Sequence, residues 1–102
     1  MTGLISLERD DRIAVVSLNR PQAHNALSGA MADELAETMR SLARDDDVWA
    51  VLLRANGDKA FCVGADLKER SSFDLDDYHT NRKQIRGHFE TIRVIPQPTI
   101  AA

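Results

Sequence analysis

Trp49-Ala50-Val51-Leu52-Leu53 is a nearly unbroken apolar run of strand length, and it constrains the fold more than any other feature. A strand apolar on both faces belongs in a layered structure, covered above and below, as in a parallel sheet. The preceding residues agree. Met31, Leu35, Met39 and Leu42 recur at spacings of four, four and three, which predicts an amphipathic helix with these side chains on its buried face. Ser28 stands where a hydroxyl can accept from an unpaired backbone N–H and start that helix. The methionines are expected to fill core gaps rather than bind a ligand. A helix running into a buried strand predicts α/β layering.

Two shorter stretches, residues 4–7 and 13–18, have strand composition, and the charged residues 8–12 between them predict a hairpin connection. Pro21 cannot donate a ladder hydrogen bond, so the second strand should end at Asn19-Arg20. Asn56-Gly57-Asp58-Lys59 is a turn signal that ends the buried strand. A second long helix is predicted from Asp74, which caps it, with Asp77 at the third helical position and Phe73 packed on Tyr78. Tyr78, Ile85, Phe89 and Ile92 continue one apolar stripe. Pro96 and Pro98 close this region, and Thr99-Ile100-Ala101-Ala102 reads as the first half of a buried strand. The expectation is a chain that stops inside that strand.

Composition narrows the function classes. The 102 residues suffice for one core, and 43% hydrophobic with 28% charged residues argues against disorder. The net charge is −3 with signs interspersed, so nucleic acid is not expected as a partner. Asp45-Asp46-Asp47 is expected to be a solvated loop. Cys62 is the single cysteine, which leaves no internal disulfide and no cysteine metal cluster. No metal-ligand spacing is present elsewhere, and no metal is expected. Residues 1–7 lack the basic-then-apolar pattern of a secretory leader, and no window approaches the ~18 apolar residues of a membrane span. A cytoplasmic protein without a membrane partner is the expectation.

The chemistry should lie in residues 60–70, Ala-Phe-Cys-Val-Gly-Ala-Asp-Leu-Lys-Glu-Arg. Gly64 permits a positive-φ turn that bulkier residues resist. After it, the N–H groups of Ala65, Asp66 and Leu67 are candidates to point outward unpaired at a helix start, where they would attract anionic oxygen. Two readings stay open on spacing alone: an oxyanion or phosphate site, or a strand-to-helix loop whose turn requires glycine. Neither a G-x-G-x-x-G fingerprint nor a phosphate-binding Gly-Lys-Ser/Thr loop is present.

Residues 61–68 resemble the first signature of the enoyl-CoA hydratase/isomerase (crotonase) family, Phe-Cys/Ala-x-Gly-x-Asp-Leu/Ile-Lys. Leu18-Asn19-Arg20-Pro21-Gln22-Ala23-His24-Asn25-Ala26-Leu27 resembles that family's Asn-Arg-Pro-x-x-x-Asn-Ala-Leu motif. The segment from Pro98 resembles the strand leading into its glycine-rich second signature. The resemblance implies a crotonase-like spiral of β-β-α units, of which residues 1–102 form an incomplete, N-terminal part. It implies an acyl-CoA thioester substrate, with no cofactor beyond the coenzyme A of that substrate, and a homotrimer or hexamer at full length. It assigns the Ala65 N–H to an oxyanion hole whose second donor, and both catalytic glutamates, lie beyond Ala102. Gln22, Ala23 and His24 would line the coenzyme A arm, and Gly64, Ala65, Asp66, Leu67 and Lys68 the substrate. Gln22 departs from the basic residue many relatives carry, so Arg20, Lys59, Lys68 and Arg70 are the alternative attractors for the nucleotide.

Within the chain, Glu8, Glu34, Glu37, Glu69 and Glu90 are expected at the surface, Glu69 nearest the pocket. Cys62 is expected as small filler beside the site. Hydration of a 2-enoyl-CoA is the leading activity. The alternatives are double-bond isomerisation, another acyl-CoA reaction of the family, and a non-catalytic fragment that binds acyl-CoA or assembles into oligomers.

Overall fold

Strand β2 (Ile13–Leu18) is an inner strand of the sheet because both its edges are hydrogen-bonded. On one side β1 (Ile5–Asp10) pairs with it antiparallel, Ile5 opposite Leu18 and Asp10 opposite Ile13. On the other side β3 (Ala50–Ala55) runs parallel, Ala14 opposite Val51. Strand β4 (Thr99–Ala101) adds a second parallel pair at the far edge of β3, giving the order β1-β2-β3-β4. The computed structural model describes residues 3–102; Met1 and Thr2, the opening of the segment read above for a leader, lie outside them.

Helix α1 (Gly29–Ala43) crosses between β2 and β3, as a parallel pair requires. Its predicted stripe of Met31, Leu35, Met39 and Leu42 is buried and packs with Ile5, Ala14, Val16, Leu18 and Val51 from one face of the sheet. The Ser28 hydroxyl caps the helix, accepting from Met31 N–H at 3.2 Å. Helix α3 (Leu75–Val94) lies against α1, with Ile85 buried between them. Its start is the expected reciprocal cap: Asp74 accepts from Asp77 N–H and Asp77 from Asp74 N–H. Between the helices Asp33 accepts from Gln84 Nε2 at 2.8 Å and meets His88 Nε2 at 2.6 Å.

The structure corrects three expectations. The hairpin turn is only Asp11-Arg12, with Asp11 at φ 56°, because the charged residues 8–10 are carried on β1, an edge strand whose side chains reach solvent. Arg9 there pairs with Asp45 of the loop after α1. The apolar run at 49–53 does not form a strand covered on both faces. Val51 is buried against α1, but Leu52 on the opposite face is half-buried, and Trp49 precedes the strand and is 65% exposed, its ring under the Arg12 guanidinium. Nor is residues 99–102 a buried segment. Among the described residues strand β4 is flanked only by β3, and Ile100 is 60% exposed. Among the described residues no helix is long and apolar enough to cross a membrane.

Candidate functional site

The loop between β2 and α1 folds back on itself because Pro21 and the left-handed residues His24 and Asn25 turn it tightly. Pro21–Ala23 form one 3-10 turn, and His24 and Asn25 have φ of 54° and 57°. Asn25 is fully buried. Its Oδ1 accepts from Arg20 N–H at 2.8 Å, while its Nδ2 donates to Asn56 O at 2.9 Å and Ala60 O at 3.3 Å. One amide therefore joins the loop to the turn that leads into residues 60–66. Gly57 in that turn, at φ +96°, lies so close to Pro21 that a Cβ would stand 2.8 Å from the proline's own.

Residues 64–66 are then fastened to Leu27. Leu27 N–H donates to Gly64 O at 2.7 Å, and Asp66 N–H donates to Leu27 O at 3.1 Å, which makes Leu27 and Ala65 an isolated parallel bridge. In such a bridge the groups on either side of Ala65 face Leu27, so Ala65's own N–H faces away. It makes no hydrogen bond to any described residue. Ala65 also lines a cavity of about 460 Å³, together with Arg20, Ala23, Ala26, Val63, Asp66, Leu67 and Lys68. Gly64, at φ +103°, makes the turn that permits this arrangement.

Of the other two predicted donors, the Leu67 N–H likewise donates to no described residue. The Asp66 N–H is spent on Leu27, contrary to the expectation that it points outward. At the start of helix α2 (Leu67–Arg70) the Asp66 carboxylate accepts from Lys68 and Glu69 N–H at 3.0 and 3.1 Å, so those two donors are not open to an anion. Asp66 is 7% exposed, and its other oxygen meets Arg20 Nη1 at 2.7 Å. That hydrogen bond from Arg20, helped by the two backbone donors and opposed by burial, holds the Asp66 carboxyl below its ordinary value.

Arg20 is thereby committed inside the protein, its Nη1 donating also to Ala26 O. It is no free attractor for a nucleotide. Arg70 donates to Asn81 Oδ1 and lies over the Tyr78 ring. Lys59 and Lys68 are exposed and enter no ion pair among the described residues. Glu69 points away from the cavity, accepting from Gly29 N–H at the start of α1. Gln22 is exposed, Ala23 lines the 460 Å³ cavity, and His24 lines a separate, smaller one with Asn56, Gly57 and Lys59. Cys62 lines an apolar cavity of about 360 Å³ between the sheet and α3, beside Leu27, Leu53, Phe61 and Phe89. No group of acidic, histidine or cysteine side chains able to hold a metal occurs among the described residues.

The family model for enoyl-CoA hydratase/isomerase matches residues 8–102, nearly the whole chain. The chain belongs to this family. The crotonase fold is likewise shared: an enoyl-CoA hydratase structure from Bacillus anthracis superposes with a TM-score of 0.93 at 34% identity, covering 96% of this chain and 38% of that one. One from Mycobacterium smegmatis superposes at 0.90 with 43% identity, over 96% and 38%. Among curated relatives, an enoyl-CoA isomerase/hydratase of Zymoseptoria tritici is 42% identical over 93 residues, which is 88% of this chain and 30% of that protein. The chain thus spans about a third of the length of the family members it matches.

The motifs that carry the resemblance are the same residues that build the cavity. Arg20, Ala23 and Ala26 come from the first, and Val63, Ala65, Asp66, Leu67 and Lys68 from the second. Sequence reading missed the Arg20–Asp66 pair and the central place of Asn25. The signal was available in principle, since an arginine, an asparagine and an aspartate sat inside the two motifs.

Proposed function

We propose that this chain supplies the first half of an acyl-CoA thioester site whose reaction is hydration of a 2-enoyl-CoA. The observation that carries the reading is the unpaired N–H of Ala65 beside a 460 Å³ cavity. A thioester oxygen in that cavity would accept from Ala65 N–H. As water adds to the β-carbon, electron density moves onto that oxygen to give an enolate, and a fixed donor favours the charged state over the neutral one. Protonation of the α-carbon then completes a saturated 3-hydroxyacyl thioester. The second N–H donor and the carboxylates that move the protons are assigned to residues outside this chain, as the family resemblance implies.

Within the chain, Ala23, Leu67 and Lys68 are the contacts for the coenzyme A arm, with Lys68 and Lys59 as exposed cations to attract its phosphates. Gln22 and His24 contribute at the rim. Coenzyme A belongs to the substrate, and no separate cofactor is invoked. At full length the protein is proposed to be a cytoplasmic homotrimer or hexamer.

The test is loss of the enoyl-thioester chromophore of crotonyl-CoA with the full-length protein, wild type beside Ala65→Pro, which deletes the N–H. Loss of one oxyanion donor is expected to lower kcat by ~10²–10³. An Ala65→Pro protein that stays folded and hydrates at the wild-type rate would remove the basis of the reading. Isomerisation is the second reading, favoured by the isomerase/hydratase name of the Zymoseptoria tritici relative. A 3-enoyl-CoA substrate separates the two: faster conversion of it than hydration of crotonyl-CoA selects isomerase.

A further inference from the structure

We infer that the Arg20–Asp66 ion pair is a positioning device that keeps the Ala65 N–H unpaired beside the cavity; this deepens the acyl-CoA reading and rests on it. The geometry is specific. Arg20 Nη1 holds Ala26 O at 3.0 Å and Asp66 Oδ2 at 2.7 Å. Ala26 immediately precedes Leu27 and Asp66 immediately follows Ala65, so one guanidinium nitrogen grips both strands of the Leu27–Ala65 bridge. Asp66 adds its own fastenings: its N–H to Leu27 O, and its Oδ1 to the N–H groups of Lys68 and Glu69. Nothing else in this stretch is regular structure. The bridge is isolated, the preceding residue is a left-handed glycine, and the helix that follows is a single turn.

An isolated bridge has no neighbouring ladder to hold its register. With the pair removed, residues 64–66 are free to rotate about Gly64, and the Ala65 N–H turns to a backbone acceptor. A displacement of about 1 Å at a reacting group costs ~10²-fold in rate, because the donor must meet the oxygen as charge develops. Arg20 and Asp66 lie at the cavity wall and are already mutually satisfied, so they act through Ala65 rather than on the substrate. A charge pair this enclosed is also a poor choice for stability alone, since desolvation offsets much of its attraction.

The experiment uses the full-length protein carrying Arg20→Met, Arg20→Lys or Asp66→Asn. Three quantities are read: kcat and KM with crotonyl-CoA, the carbonyl stretch of a bound acyl-CoA by difference infrared spectroscopy, and Tm. Arg20→Met is expected to lower kcat by ~10²-fold with KM within about threefold, and to move the bound carbonyl band back toward its position in water. Arg20→Lys, which restores one charged donor, should recover at least about tenfold of that loss. Asp66→Asn keeps both helix caps and should behave as Arg20→Met does. Variants with a lowered Tm but wild-type kcat and carbonyl band, measured well below melting, would show a merely structural pair and overturn the inference.

The temperature coefficient of the Ala65 amide, by NMR with ¹⁵N-alanine labelling, separates failure of the inference from failure of the acyl-CoA reading. If the wild type neither hydrates enoyl-CoA nor shifts the carbonyl band, that reading fails. An amide that is unbonded in the wild type and becomes bonded in Arg20→Met then still supports the positioning role. An amide unchanged by the substitution refutes it.

Discussion

Asn25 illustrates how much one side chain decides here. It is fully buried, sits at φ 57°, and uses both ends of its amide on backbone partners from two loops. Asn25→Ala strands the Arg20 N–H and two carbonyls. Each buried group left unpaired costs about 1–3 kcal/mol, so a loss of about 3 kcal/mol in urea unfolding is expected. Asn25→Asp keeps the acceptor for Arg20 and should lose less of the first contact but both donors. Gly64 makes a different demand: a Cβ would meet nothing within 4 Å, so the whole cost of Gly64→Ala is the φ of +103°. An expected loss of about 1–2 kcal/mol is checked by the same unfolding experiment, and Gly64→Asn should lose less because asparagine tolerates left-handed backbone.

Asp66 also sets a pH dependence. Arg20 holds its carboxyl below the ordinary value in the folded protein. A depressed carboxylate stabilises the fold at every pH above its unfolded pKa, about 3.9, and loses that contribution as pH falls through the folded value. The stability of Asp66→Asn should therefore converge on the wild type's as pH drops below about 4, and differ from it most at neutral pH. Acid titration of urea midpoints for the two proteins checks this, and a gap that stays constant with pH contradicts it.

At the scale of elements, the helices are stabilised at their ends as much as along their faces. Helix α1 begins with two acceptors: the Ser28 hydroxyl for Met31 N–H and the Glu69 carboxylate for Gly29 N–H. The second comes from α2, so the short helix beside the cavity also helps anchor the long one. Ser28→Ala should cost about 1 kcal/mol and Ser28→Gly only a few tenths, measured as the shift in urea midpoint. The interior is less forgiving. Met39 is fully buried in the cluster shared with the sheet, and Met39→Ala should cost about 2–5 kcal/mol.

For the whole molecule, the sheet has one covered face and one open one. Helix α1 lies over Val16, Leu18 and Val51 with α3 packed on it, while Ile13 and Ile100 on the other face are exposed, and Phe89 and Val94 on α3 are exposed too. Exposed apolar side chains on both sides of the sheet predict association. The 102-residue chain is expected to bind a hydrophobic dye and to self-associate in sedimentation velocity, and a chain of its relatives' length, of which it spans about a third, should do neither to the same degree.

Sequence alone determined what depends on short-range order. The 3.6-residue recurrence of Met31, Leu35, Met39 and Leu42 set the buried face of α1, and Ser28 and Asp74 set the helix starts, because caps and periodic faces are decided within one or two turns of chain. The two motifs around Arg20 and Gly64 likewise named the family. Only the tertiary structure decided which backbone groups of residues 64–66 are free. Whether the N–H of Ala65 or that of Asp66 finds an acceptor depends on Leu27, about forty residues away. The same holds for Arg20 and Glu69, which read as a surface cation and a surface acid until contacts between distant segments committed one to Asp66 and the other to Gly29. Hydrogen bonds are short and directional, so their pairing follows from where the chain is brought together, not from the order of its residues.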